Sequence, residues 1–140
     1  MQHATRKSAA LMGCLGLLAA LGGNVHASLS AQDVQLRALQ PLAKGEWTIR
    51  FRGSGESTRL CVRTGRELLQ LRHQNQQCSR VTVENEASIA TVQYTCRGNG
   101  YGRTTIRRET RELVQIDGQG FVQDRPFQFH AEARRTGDCK

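Results

Sequence analysis

The distribution of cysteine most constrains what this 140-residue chain can fold into. Cys14 lies in an apolar N-terminal stretch, and four more follow at wide intervals, at Cys61, Cys78, Cys96 and Cys139. No CxxC motif or close Cys/His pair occurs, so a zinc site is not indicated. An even number of widely spaced cysteines in a small exported domain indicates disulfides. We therefore predict two disulfide bonds, no bound metal and no cofactor.

The pairing of these four cysteines has three solutions. We favour Cys61 with Cys78 and Cys96 with Cys139, because the first bond would bracket one short local element and the second would tie down the C-terminus. The sequence leaves the other two pairings open.

The N-terminal residues have the pattern of a secretory signal peptide. Arg6 and Lys7 precede an apolar run over residues 9–21, and Val25-His26-Ala27 provides a cleavage site before Ser28. The run is shorter than the ~20 apolar residues of a membrane span and is broken by glycines. We predict a signal peptide over residues 1–27 and a protein in the periplasm or secreted, with no transmembrane segment in the mature chain. The alternative is a lipoprotein signal, in which Leu11-Met12-Gly13-Cys14 would be the lipobox.

The positive charge belongs to the mature domain. Without Arg6 and Lys7, 18 of the 20 basic residues remain against 12 acidic ones, and 16 of the 18 are arginine. Arginine suits bidentate contact with carboxylate or phosphate. Codon bias in a GC-rich genome would explain the same excess of arginine without any ligand.

Alternation of apolar and polar residues predicts a mainly β domain over residues 44–140. Trp47, Ile49 and Phe51 alternate with polar residues in the first strand, and Phe127 to Ala133 do so in the last. The expected architecture is a single curved antiparallel sheet or a partly closed barrel. Residues 28–43 form a leader segment before it.

Two stretches within this domain are less regular. Thr64 and Glu67 have the spacing of a capping box, which predicts one short α-helix that buries the leucines after Glu67. Residues 103–117 also fit a helical face, but their strand-prone composition favours one strand, bent near Thr110 and ended by Gly118 and Gly120.

Several short motifs resemble a known family. They are Gly45-Glu46-Trp47, the cysteines around a short helix, Tyr94-Thr95-Cys96, Leu113-Val114-Gln115-Ile116, and a terminal run from Ala133 to Cys139. Together they look like the exported proteobacterial family of domains of unknown function numbered 3617, over roughly residues 44–140. The resemblance implies a curved antiparallel sheet with paired cysteines in the periplasm, and it implies no activity.

The pattern of titratable residues does not indicate catalysis. A nucleophilic site needs a histidine beside the nucleophile, and both mature histidines have structural interpretations. His73 would end the predicted helix, and His130 would point outward from the last strand. We predict that the protein is not an enzyme.

One group of charges stands out. Alternate residues of a strand share a face, so a continuous strand would place Arg103, Arg107 and Arg111 on a ridge of about 26 Å. With Arg108 between them, these arginines are the candidate anion-binding residues. A solvated strand face, offset by Glu109 and Glu112, is the simpler interpretation.

These observations favour a non-catalytic binding or envelope-associated module. Its ligand would be an anionic envelope component at the arginines, or a small apolar ligand on a concave face lined by Trp47, Ile49, Tyr94 and Phe129. Nucleic acid is not expected, because the location is extracytoplasmic and aromatic residues are few. The alternative is a periplasmic inhibitor that binds a partner through its loops.

Overall fold

Seven β-strands make up most of the domain. The computed structural model describes residues 34–140, so the predicted signal peptide over residues 1–27 and the start of the leader segment lie outside the described residues. In chain order the strands are β1 Gly45–Phe51, β2 Ser57–Val62, β3 Cys78–Asn85, β4 Ile89–Cys96, β5 Gly100–Thr110, β6 Leu113–Val122 and β7 Arg125–Gly137.

All seven strands form one antiparallel sheet in the order β2-β1-β7-β6-β5-β4-β3. Strands β3 to β7 follow one another as a meander, and the β1–β2 hairpin joins this meander through β7. Strands β2 and β3 are the two edges, so the sheet is open. The predicted single antiparallel sheet is confirmed, and the partly closed barrel is not formed.

Alternation along the strands gives the sheet two different faces. Trp47 and Ile49 are fully buried, whereas Arg50 between Ile49 and Phe51 is exposed. The same period in β4 to β7 places an apolar set on one side, which we call the core face, and a polar set on the other, the outer face. The hydrophobic core therefore lies on one side of the sheet only.

Two segments without strands cover the core face. The N-terminal segment, residues 34–44, buries Leu36, Leu39 and Leu42. The crossing segment, residues 63–77, links edge strand β2 to edge strand β3 and buries Leu68 and Leu69 completely. The described part of the predicted leader thus packs on the domain.

The predicted α-helix in the crossing segment is wrong, because only a 3-10 helix, Arg66–Leu68, forms there. Half of the capping box is present, with the Glu67 carboxylate accepting hydrogen bonds from the backbone N–H of Arg63 and Thr64. The four residues from Leu68 to Leu71 are all buried. A surface helix buries only one stripe of its side chains, so the burial of four consecutive residues favours an irregular backbone. The Gln70 side-chain amide donates hydrogen bonds to two carbonyls of this segment, those of His73 and Gln76.

The single bent strand predicted over residues 103–117 is also wrong. A turn at Arg111 and Glu112 separates β5 from β6, and the Thr110 hydroxyl closes it by accepting a hydrogen bond from the N–H of Glu112. Gly118 does not end the strand but lies within β6. A Cβ at Gly118 would overlap the ring of Phe129 on β7, so glycine there makes room for an aromatic neighbour.

Edge strand β3 is irregular. Its pairing with β4 shifts register between Thr82 and Glu84, which marks a β-bulge at Val83. Val81 and Val83 on this strand are 67% and 48% exposed, among the most exposed large apolar residues described.

The two predicted disulfides are present, but the favoured pairing is wrong. Cys61 is bonded to Cys139 and Cys78 to Cys96, with Cα–Cα distances of 5.5 Å and 4.2 Å. The β3–β4 register places Cys78 directly opposite Cys96, whereas Cys61 lies on the edge at the other end of the strand order. Closeness in sequence favoured Cys61 with Cys78, and strand order separates them.

Mapping the disulfides would test this connectivity. A tryptic digest without reduction should contain residues 60–63 linked to residues 136–140, and residues 73–80 linked to residues 81–97. The chain-entropy estimate for sequence separations of 78 and 18 residues is a loss of about 4.5 kcal/mol without Cys61–Cys139 and about 3 kcal/mol without Cys78–Cys96. Finding residues 60–63 linked to residues 73–80 would contradict the structure.

Candidate functional site

Two of the four candidate anion-binding arginines lie where the sequence predicts. Arg103 and Arg107 point from β5 to the outer face and are exposed. Within residues 34–140 neither guanidinium has a hydrogen bond or ion pair. Both are available to a ligand.

The other two arginines bind backbone carbonyls. Arg108 donates hydrogen bonds to the carbonyls of Ala38 and Ala87, at 3.1 and 2.9 Å, and Arg111 donates to the carbonyl of Pro41 at 3.2 Å. Alternation and a register shift turn Arg108 away from the outer face, and Arg111 lies in the β5–β6 turn. The predicted ridge is therefore not formed, and these two arginines hold the N-terminal segment.

Strand register arranges the outer face around Arg103 in three rows that cross β4 to β7. The aromatic row comprises Thr95, Tyr101, Phe121 and Pro126; the amide row Gln93, Arg103, Gln119 and Gln128; and the Asp–His row Thr91, Thr105, Asp117 and His130. Neighbours in a row lie on adjacent strands, about 4.8 Å apart, and successive rows are two residues apart, about 6.6 Å.

The aromatic row exposes two neighbouring rings. Tyr101 and Phe121 are 47% and 40% exposed, and their ring centroids are 5.4 Å apart. Most of the other aromatic side chains are buried in the core or packed against it. The exposed pair is therefore an apolar patch beside the polar side chains of the amide row.

The amide row carries unpaired polar groups. The side chains of Gln93, Gln119 and Gln128 are exposed and make no hydrogen bond within residues 34–140. Together with Arg103 and the aromatic row they line a groove of about 550 Å³. This volume is within the range of small-molecule sites.

The Asp–His row contains two separate hydrogen-bonded pairs. Nδ1 of His130 is 2.5 Å from Oδ1 of Asp117, and the Thr91 and Thr105 hydroxyls are 3.0 Å apart. This row and Arg103 border a second hollow of about 210 Å³, whose lining contains no serine or cysteine. As predicted, His130 points outward.

Another cleft, of about 420 Å³, lies between β2 and the crossing segment. Most of its charged side chains are engaged within the fold: Arg80 donates to Gln70, Arg66 donates to the carbonyl of Val34, and the Glu67 carboxylate binds the backbone of Arg63 and Thr64, which leaves the Arg63 guanidinium unpaired among residues 34–140. The groove at Arg103 is the stronger candidate because its polar groups are unpaired.

His73 is buried rather than at the end of a helix. Its Nε2 donates to the carbonyl of Asn99 at 3.0 Å, so in the neutral ring Nδ1 accepts from the Tyr94 hydroxyl at 3.3 Å. Burial raises the pKa of Tyr94 to about 12, against a smaller opposing effect of a hydrogen bond with Thr104. This network fastens the crossing segment to the β4–β5 turn.

The residues suggested to line an apolar cavity belong to the core. Trp47, Ile49 and Tyr94 are at most 2% exposed and Phe129 is 8% exposed. Among residues 34–140, no three His, Cys, Asp or Glu side chains are grouped closely enough to hold a metal ion. In the same part of the chain, no helix has the length and hydropathy needed to cross a membrane.

Comparison of the chain with protein-family models, with curated proteins and with solved structures found no match.

Sequence reasoning identified Arg103 but missed the glutamines beside it. Gln93, Gln119 and Gln128 come from three other strands, and only the register brings them into one row. The alternation of apolar and polar residues along each strand places all three glutamines on the polar face, and this pattern is the sequence signal that could have identified them.

Replacing Arg108 should destabilise the domain. Arg108→Ala removes two charge-assisted hydrogen bonds to carbonyls of the N-terminal segment and the β3–β4 turn, so we expect the free energy of unfolding to fall by about 1–3 kcal/mol. Arg107→Ala is the matched control and should change it by less than about 0.5 kcal/mol. Equal effects of the two substitutions in urea unfolding would contradict the assigned role of Arg108.

Tyr94 should make stability depend on alkaline pH. Its pKa is raised from 10.0 to about 12 in the folded state, so its contribution is complete below pH 10 and is lost as the pH rises from 10 to 12. Between pH 9 and pH 11 the free energy of unfolding of the wild type should fall by on the order of 1 kcal/mol more than that of Tyr94→Phe. Urea unfolding at the two pH values measures this, and identical losses would refute it.

Proposed function

We propose that this protein is a non-catalytic binding module of the periplasm or the cell exterior. Support for the location comes from the signal-peptide pattern over residues 1–27, the resemblance to an exported family and the two disulfides, which are typical of oxidising compartments. Two disulfide bonds in a domain of this size are compatible with an extracytoplasmic protein.

The observation that carries the binding role is the unpaired amide row. Exposed arginine and glutamine side chains are common on protein surfaces, but here four of them stand side by side in a groove that two aromatic rings flank. Binding sites combine apolar walls with a few convergent polar groups. The groove at Arg103 has this composition.

The proposal of a non-catalytic role rests on the chemistry around the groove. The Asp117–His130 pair is exposed and hydrogen-bonded, and a hydroxyl or thiol nucleophile within its reach would be needed for covalent catalysis. The hydroxyl groups in the same row, on Thr105 and Thr91, are engaged with each other, and the Thr91 hydroxyl also donates to the Glu84 carboxylate. Binding through the loops to a partner protein stays a prediction from the sequence.

The envelope role can be tested by sedimentation. The full chain is expressed, recovered from the periplasmic fraction, and its intact mass is checked for a start at Ser28. The purified protein should sediment with isolated envelope fragments, and Arg103→Gln should weaken this binding about tenfold, the loss expected for a charge-assisted hydrogen bond.

Arg107→Gln is the matched control, because it makes the same change on the same strand face outside the groove. It should sediment like the wild type. Equal losses for both variants would show diffuse charge attraction, and an unprocessed mass or no sedimentation would overturn the envelope role.

A further inference from the structure

We infer that the groove at Arg103 binds an oligosaccharide that carries a carboxylate on its sugar ring, an inference that rests on the proposed binding function. The sugar ring would lie on Tyr101 and Phe121, and its carboxylate would meet Arg103. Three features of the outer face support this class of ligand.

The first feature is the pair of rings. A pyranose has one face of C–H groups, which packs on an aromatic face while the hydroxyl groups point sideways. Tyr101 and Phe121 are neighbours on adjacent strands, exposed, and tilted by 40° to each other. They provide an apolar platform beside polar groups, which suits a ligand with one apolar and one polar side.

The second feature is the chemistry of the amide row, whose backbone positions are two residues, about 6.6 Å, along the strands from those of the aromatic row. Each carboxamide both donates and accepts hydrogen bonds, as each sugar hydroxyl does. Gln93, Gln119 and Gln128 have no partners within the described chain, so they match a ligand rich in hydroxyl groups. A purely apolar ligand would cover these groups without replacing their hydrogen bonds to water.

The third feature is the balance of charge. The unpaired Arg103 guanidinium matches a carboxylate in a fork-like contact. Asp117 lies in the next row, but its carboxylate is hydrogen-bonded to His130, so Arg103 is the unpaired charge at the groove. The single positive charge among the residues that line the groove therefore suits a ligand that carries a carboxylate on its sugar ring.

The position of the groove disfavours an extended peptide. Strands β5 and β6 each pair with a neighbour on both sides, so their backbone groups are used within the sheet. A peptide strand binds chiefly through backbone hydrogen bonds to an exposed edge. The groove offers side chains only.

The test uses tetragalacturonate and its methyl ester, which share the same sugar rings and differ in charge. Binding to the exported protein is measured by calorimetry. We expect the acid to bind at least about tenfold more tightly than the ester, since a charge-assisted hydrogen bond is worth that factor. Arg103→Gln should remove this preference, whereas Tyr101→Ala should weaken both ligands and keep it. Arg107→Gln should change neither.

Three results would overturn the inference. They are equal affinity of the wild type for acid and ester, a preference for the acid that survives Arg103→Gln, and tighter binding of a single-stranded oligonucleotide than of the acid. If neither sugar binds while envelope sedimentation still depends on Arg103, the sugar class is wrong and the binding function stands. If envelope sedimentation is also lost, both proposals fail.

Discussion

The domain is held together by the exclusion of water from the core face, which two segments without strands cover. An open sheet with one apolar face needs a second layer, and here the crossing segment and the N-terminal segment supply it. Leu68, Leu69 and Leu36 close over Trp47 and Ile49. Every other feature, from the edge strands to the groove, depends on this cover remaining in place.

The cover itself depends on polar contacts, because irregular chain leaves carbonyls without partners. Gln70 satisfies two of them within the crossing segment, and Arg108 satisfies one in the N-terminal segment. His73 links the crossing segment to the carbonyl of Asn99. Within residues 34–140 no buried side-chain nitrogen or oxygen lacks a partner. Arginines that resemble a ligand site in the sequence thus include two that serve the fold.

The side chains of the outer face do not take part in covering the core. They can change without exposing the core, so the amide row is able to present unpaired polar groups to solvent. Arg103 and Arg107 differ in this respect from Arg108, although all three lie on β5. Alternation within one strand separates arginines available to a ligand from an arginine that stabilises the fold.

The sequence predicts those strands that have a clear alternation of apolar and polar residues or that follow glycines typical of a turn. The alternation in β1 and β7 and the glycines before β5 are of this kind. The β5–β6 turn lacks such a signal, because Arg111 and Glu112 are not turn-forming residues and the closing hydrogen bond comes from Thr110. Disulfide partners and the amide row depend on register, which contacts between distant strands decide. The spacing of arginines within one strand therefore identified Arg103, whereas the glutamines on the adjacent strands could not be identified in this way.

The bulge in β3 has a consequence for how separate molecules meet. This edge strand exposes two valines and the unpaired backbone groups of a sheet edge, which together form a template for adding a strand from another chain. The extra residue at Val83 interrupts the regular spacing of those groups, and a bulge also twists the strand locally. A second copy can match the edge only in short stretches on either side. The bulge thereby discourages the addition of a strand from another chain at this edge of the sheet.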